Sequence, residues 1–65
     1  MKMWIARDAN NKIYLHKGKP TRTARTGLWE SYDGIIKLGT NEYPEVTFEN
    51  SPMEVEIKLA SNENN

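Results

Sequence analysis

The residues best equipped for chemistry lie between Tyr14 and Trp29. Four cations, Lys17, Lys19, Arg22 and Arg25, stand within nine residues that hold no acid, interleaved with Thr21 and Thr23. Arginine offers phosphate a planar fork, lysine a point charge, and threonine a neutral hydroxyl donor. Gly18 and Gly27 let backbone amides approach a phosphate closely. Trp29 and Tyr14 present ring faces on which a base can stack, as do Trp4 and Tyr32. The pattern describes a site for a phosphate-bearing ligand with an aromatic ring. Lys17, Lys19, Arg22 and Arg25 would hold the phosphate, and Trp29 or Tyr14 the ring. The plainer alternative is a solvated loop that complements acidic strands elsewhere, with the two tryptophans serving as core or interface anchors.

Other chemistries fall away. His16 is the single imidazole and the chain has no Cys, which removes disulfides, thiol nucleophiles, iron–sulfur clusters and Cys-based zinc sites. A serine triad would need Ser31, Ser51 or Ser61 beside His16 and an acid, and no local spacing supports one. Asp8 to Lys12 begins like a calcium loop, but Lys12 falls on a coordinating position and Ile13 replaces the required glycine. Gly18-Lys19-Pro20 lacks the upstream glycine and the following hydroxyl of a P-loop. The reading is a protein that is not an enzyme and uses no metal or cofactor.

These side chains must be positioned by very few elements. The chain has 65 residues, 37% of them apolar and 28% charged. Its longest apolar run, Met3 to Ala6, is far short of the ~20 residues of a membrane span and of a signal-peptide core, so no membrane partner is expected. Met3–Arg7 and Lys12–His16 flank the turn residues Asp8-Ala9-Asn10-Asn11 and read as a hairpin, with Ile5 and Ile13 or Leu15 in the core. Residues 17–27 lack periodicity and read as a basic loop. Leu28–Ser31 and Ile35–Leu38 flank Asp33-Gly34, the signature of a second hairpin. Tyr43 before Pro44 is expected to be extended, and Val46–Glu49 alternates like a strand. Met53 to Leu59 alternates most clearly, with Glu54 and Glu56 on its wet face. That face reads as a charge-guarded edge strand, or as a docking surface for a basic partner. The expected fold is all-β: a small antiparallel sheet or partly open barrel of about five strands, one domain over residues 1–59, with a disordered tail at 60–65. A core this small seldom sustains itself without a staple, which makes a homo-oligomer the expectation.

Nine Lys and Arg balance nine Asp and Glu, which at first argues against a nucleic-acid partner. The balance hides a split. Eight bases against three acids up to Lys37 leave five positive charges in excess, and one base against six acids after it leaves five negative.

Three stretches carry a resemblance: Met3-Trp4-Ile5-Ala6-Arg7-Asp8 at the start, Ile13-Tyr14-Leu15 leading to Lys19-Pro20, and Tyr43-Pro44-Glu45-Val46-Thr47-Phe48-Glu49 followed by Pro52 and Glu54-Val55-Glu56-Ile57 at the close. In this layout the chain resembles a group of short, mostly uncharacterised single-domain proteins of gut bacteria and their phages. The resemblance spans nearly the whole chain and brings no catalytic motif. It implies a protein of the bacterial host cytoplasm that acts by sequestration, as in phage counter-defence. The captured molecule would be a nucleotide immune signal or, alternatively, a host protein blocked through a strand edge or the acidic terminal strand. Weak single-stranded nucleic-acid binding ranks behind both.

Overall fold

A computed structural model describes residues 1–57. The opening hairpin forms as its sequence dictates. Strand β1 (Lys2–Arg7) pairs antiparallel with β2 (Ile13–His16), with Ile5 opposite Leu15 and Ala6 opposite Tyr14. Between them, Asp8 N–H donates to the Lys12 carbonyl at 2.8 Å and Asn11 N–H to the Asp8 carbonyl at 2.9 Å. Asn11 takes φ 75°, a left-handed conformation that asparagine tolerates better than most residues.

Strand β3 (Thr21–Thr23) pairs with β4 (Leu28–Glu30) as a separate two-stranded sheet. Strand β5 (Ile35–Leu38) adds to the outer side of β2, and β6 (Met53–Glu56) to the outer side of β1. The larger sheet therefore runs β5-β2-β1-β6. Among the described residues the result is an all-antiparallel β fold of six strands in two sheets, not closed into a barrel.

Strand alternation sorts the four-stranded sheet into two faces. One carries Ile5, Ile13, Leu15, Leu38, Met53 and Val55, and its buried centre is Ile5 and Ile13 with Val46 laid over them. The other carries Ala6 and His16, both fully buried, and on this side β4 packs against β1. Gly27 sits where the two hairpins meet. Its φ is +70°, its carbonyl accepts from Ala9 N–H at 2.9 Å, and a Cβ there would come within 2.8 Å of the Ala9 methyl. A side chain at this position would push the hairpins apart.

Several expectations need correction. The segment 17–27 is not wholly a loop, because Thr21–Thr23 forms β3 and takes Leu28–Glu30 as its partner. The second hairpin is consequently absent. Gly34 does turn with φ +107°, but the turn sends β5 across to β2, where Lys17 N–H donates to the Gly34 carbonyl at 3.1 Å. Val46–Glu49 is not a strand either. Thr47 and Asn50 exchange side-chain-to-backbone hydrogen bonds of 2.8 and 3.1 Å, and Asn50 Nδ2 donates to the Glu45 carbonyl at 2.9 Å. These local bonds satisfy the backbone without a ladder partner. Among the described residues the last strand is β6, ending at Glu56, although Ile57 N–H still donates to the Met1 carbonyl at 2.8 Å. The expected continuation to Leu59 and the tail at 60–65 lie outside the described residues.

Arg7 organises the long connection between β5 and β6. It is only 7% exposed, yet among the described residues no carboxylate lies within ion-pair distance of it. Nε donates to the Val46 carbonyl at 2.6 Å, Nη1 to the carbonyls of Asn11 and Thr40 and to Asn11 Oδ1 at 3.1–3.2 Å, and Nη2 to the carbonyls of Glu42 and Tyr43 at 3.0 and 3.2 Å. Tyr43 is bent to φ 52° rather than extended, as its carbonyl serves both Arg7 and Val46 N–H. Such a conformation costs a bulky residue roughly 1–3 kcal/mol, and the charge-assisted bonds to Arg7 offset it.

Arg7→Lys keeps the charge but offers a compact ammonium in place of the planar fork. We expect it to destabilise the fold by about 3 kcal/mol or more, since several buried carbonyls lose their donors. Urea denaturation checks this, and a loss below about 1 kcal/mol would contradict the role given to Arg7. At position 43, Gly should be more stable than Ala by roughly 1 kcal/mol, because only Ala has a Cβ to clash in the left-handed region. Equal stability of the two variants would show that Tyr43 is not strained.

Candidate functional site

A cavity of about 590 Å³ opens on the face of the larger sheet that β4 approaches. Tyr14, on β2, forms part of one wall and Trp29, on β4, part of another, with Asp8, Lys12, Glu30 and Ile35 completing the part of the lining that matters here. The volume lies inside the range of ~300–1,000 Å³ typical of small-molecule sites. Its geometry is fixed from the backbone. Asp8 follows β1, and its Oδ1 accepts from Trp29 N–H at 2.8 Å, which locks β4 to the opening hairpin. Tyr14 is held in the centre of the ladder, opposite Ala6 on one side and Lys37 on the other.

The six residues singled out from the sequence divide here. Tyr14 and Trp29 are brought to one cavity. Arg22 is not. It lies opposite Trp29 in the small sheet, with its guanidinium carbon 5.3 Å from the centre of the Phe48 ring, while Trp29 and Phe48 sit 6.3 Å apart. Arg25 is exposed in the β3–β4 turn, and Lys19 is exposed between β2 and β3. Lys17 is closer to the site, since its Cδ would lie 3.8 Å from a Cβ on Gly34, a lining residue. The four cations therefore do not converge, because strand β3 separates those that the sequence clusters.

The cation that does line the cavity is Lys12, which the sequence analysis placed at the start of the second strand and gave no ligand role. Asp8 and Glu30 were missed as well. No local sequence signal pointed to them, because the pairing of β4 with β3 and its packing against β1 bring together residues far apart in the chain. A second cavity, of about 420 Å³, is bordered by Arg7, Pro44, Phe48 and Glu49. The donors of Arg7 are already committed to backbone carbonyls, so its charge is not free to bind an anion there.

His16 sits beneath the small sheet, with Nδ1 2.9 Å from the hydroxyl of Ser31, which also lines the larger cavity. This contact joins residues that no sequence spacing linked. It is a pair and not a triad: Nε2 is buried with no partner among the described residues, and Asp8 holds the Trp29 amide rather than the ring. Trp29 Nε1 is likewise buried without an acceptor among the described residues. Burial lowers the pKa of His16 below its ordinary value, an effect that the negative charge of Asp8 partly opposes.

The N-terminal ammonium meets Glu56 at 2.9 Å and Lys2 Nζ meets Glu54 at 3.6 Å, so the basic and acidic parts of the chain join along β1 and β6. Comparison of the chain with protein-family models, with curated proteins and with solved structures finds no match in any of the three. Among the described residues no helix is long and apolar enough to cross a membrane.

The lowered pKa of His16 has a defined sign. The unfolded chain binds a proton more readily than the native one, so native stability rises with pH through this window. The contribution is complete above the unfolded value of about 6.5 and is lost as pH falls below it toward the folded pKa. Urea midpoints should drop between pH 7.5 and 5.5 in the wild type, and His16→Gln should flatten that dependence. An equal pH response in both proteins would exclude His16 as its source.

Proposed function

We propose that the protein is a non-enzymatic binding protein that captures a phosphate-bearing nucleotide in the cavity between β2 and β4. The observation that carries this reading is the presence of Tyr14 and Trp29 on the walls of one cavity of nucleotide size. The base stacks on one of these rings. Asp8 and Glu30 accept hydrogen bonds from ribose hydroxyls or an exocyclic amine, and Lys12, with Lys17 beside Gly34, receives the phosphate. The resemblance to short phage-associated proteins supports sequestration of an immune signal in the cytoplasm of a bacterial host.

Isothermal titration with a panel of cyclic and ADP-ribose-type nucleotides tests the proposal. We expect binding by at least one of them, weakened about tenfold or more by Tyr14→Ala or Trp29→Ala, in line with the ~1–3 kcal/mol lost per unstacked base. Heats at background for the whole panel would refute it.

A second reading rests on the acidic edge. Strand β6 lies at a rim of the larger sheet, with Glu54 and Glu56 exposed. This edge would block a basic host protein, and loss of function in Glu54→Lys/Glu56→Lys with no effect of Trp29→Ala would favour it over nucleotide capture.

A further inference from the structure

At the opposite rim of the larger sheet lies β5. The hydrogen bond from Lys17 N–H to the Gly34 carbonyl fixes the phase of the β2–β5 ladder. Hydrogen-bonded pairs recur at every second residue of an antiparallel ladder, so the peptide groups of Gly34, Ile36 and Leu38 face β2. Those of Ile35 and Lys37 face outward, leaving two N–H and two C=O groups without a partner among the described residues. Ile35 and Ile36 point to opposite faces and are 52% and 50% exposed. Uncovered edges with apolar side chains on both faces invite strand addition.

We propose that two copies pair antiparallel through β5, about a two-fold axis at Ile36. In this register Ile35 of each copy exchanges both backbone hydrogen bonds with Lys37 of the other, using all four outward groups. Ile36 of one copy meets Ile36 of the second across the axis, on the face shared with Leu15. Moving the axis to Lys37 would set two like charges directly opposite each other, which is unfavourable. Centring it at Ile36 instead sets each Lys37 opposite Ile35 of the other copy, so that no two like charges stand directly opposite each other.

The other rim does not serve equally well. The Ile57–Met1 hydrogen bond fixes its phase in the same way, so the outward peptide groups there belong to Glu54 and Glu56. Self-pairing of β6 would confront four carboxylates.

The pairing also alters the cavity. Ile35 lines it, and Lys37 of the second copy stands directly across from Ile35 on the same face. Each copy thus adds a cation to the rim of the other's cavity, which by itself is lined by one lysine and two carboxylates. This second part rests on the nucleotide reading; the pairing itself does not.

Sedimentation equilibrium at tens of micromolar tests the pairing without any ligand. The expected mass is twice that of one chain, and Ile36→Lys should return the mass of one chain with an unchanged far-UV circular dichroism spectrum. A monomeric wild type, a species growing beyond a dimer, or an Ile36→Lys protein that stays dimeric would overturn the inference. For the shared cavity, Lys37→Met should remain dimeric and bind the nucleotide identified by titration at least fivefold more weakly, and unchanged affinity would overturn that part. If no nucleotide of the panel binds, the functional proposal fails while the mass measurement still decides the pairing.

Discussion

The fold depends on one buried guanidinium. Arg7 ends β1, and its donors gather carbonyls from Asn11, Thr40, Glu42, Tyr43 and Val46. A buried charge without a counter-ion would ordinarily be unfavourable. Here the negative ends of several peptide dipoles replace the carboxylate, much as they do at the C-terminus of a helix. The consequence reaches the core. With the connection between β5 and β6 drawn onto Arg7, Val46 is set over Ile5 and Ile13, closing an apolar cluster that the sheet alone would leave open. A chain with so few core residues thus gains burial from a segment that has no regular secondary structure.

Asp8, the next residue, does a parallel task on the other face. Its carboxylate accepts from Trp29 N–H and fastens the small sheet over Ala6 and His16. Adjacent side chains in an extended strand point to opposite faces, so Arg7 and Asp8 act as two clamps on the two sides of one sheet. The cavity exists because the second clamp holds β4 close to β1 but leaves the neighbouring β2 surface around Tyr14 uncovered.

Electrostatics follow from this placement more than from the count of charges. The four cations of residues 17–25 are spread by β3 between a ring contact with Phe48 and open solvent. Exposed charges so spaced contribute little to stability. The charges that shape the cavity, Lys12, Asp8 and Glu30, come from both signs. Burial of His16 next to this group, with Ser31 as its partner, keeps its imidazole neutral to lower pH than an exposed histidine.

The sequence by itself determined the all-β class, the first hairpin with its turn over Asp8 to Asn11, the role of Ile5 and Ile13, and the acidic strand that begins at Met53. All of these follow from alternation and turn chemistry within a dozen residues. Tyr14 and Trp29 were also legible as a pair to locate, because aromatic residues flanking a basic stretch are a local signal, and both line one cavity. Tertiary structure alone decided strand partners and site membership. Asp33-Gly34 looks like a hairpin turn, yet the edges of β2 and β3 compete for the flanking strands, and that competition is settled by contacts far apart in sequence. Val46–Glu49 alternates like a strand, but Asn50 and Thr47 satisfy its backbone locally and Arg7 captures its carbonyl. Lys12 replaces Arg22 and Arg25 at the cavity for the same reason: proximity in sequence along a loop says nothing of which sheet face a side chain reaches once a strand forms within it.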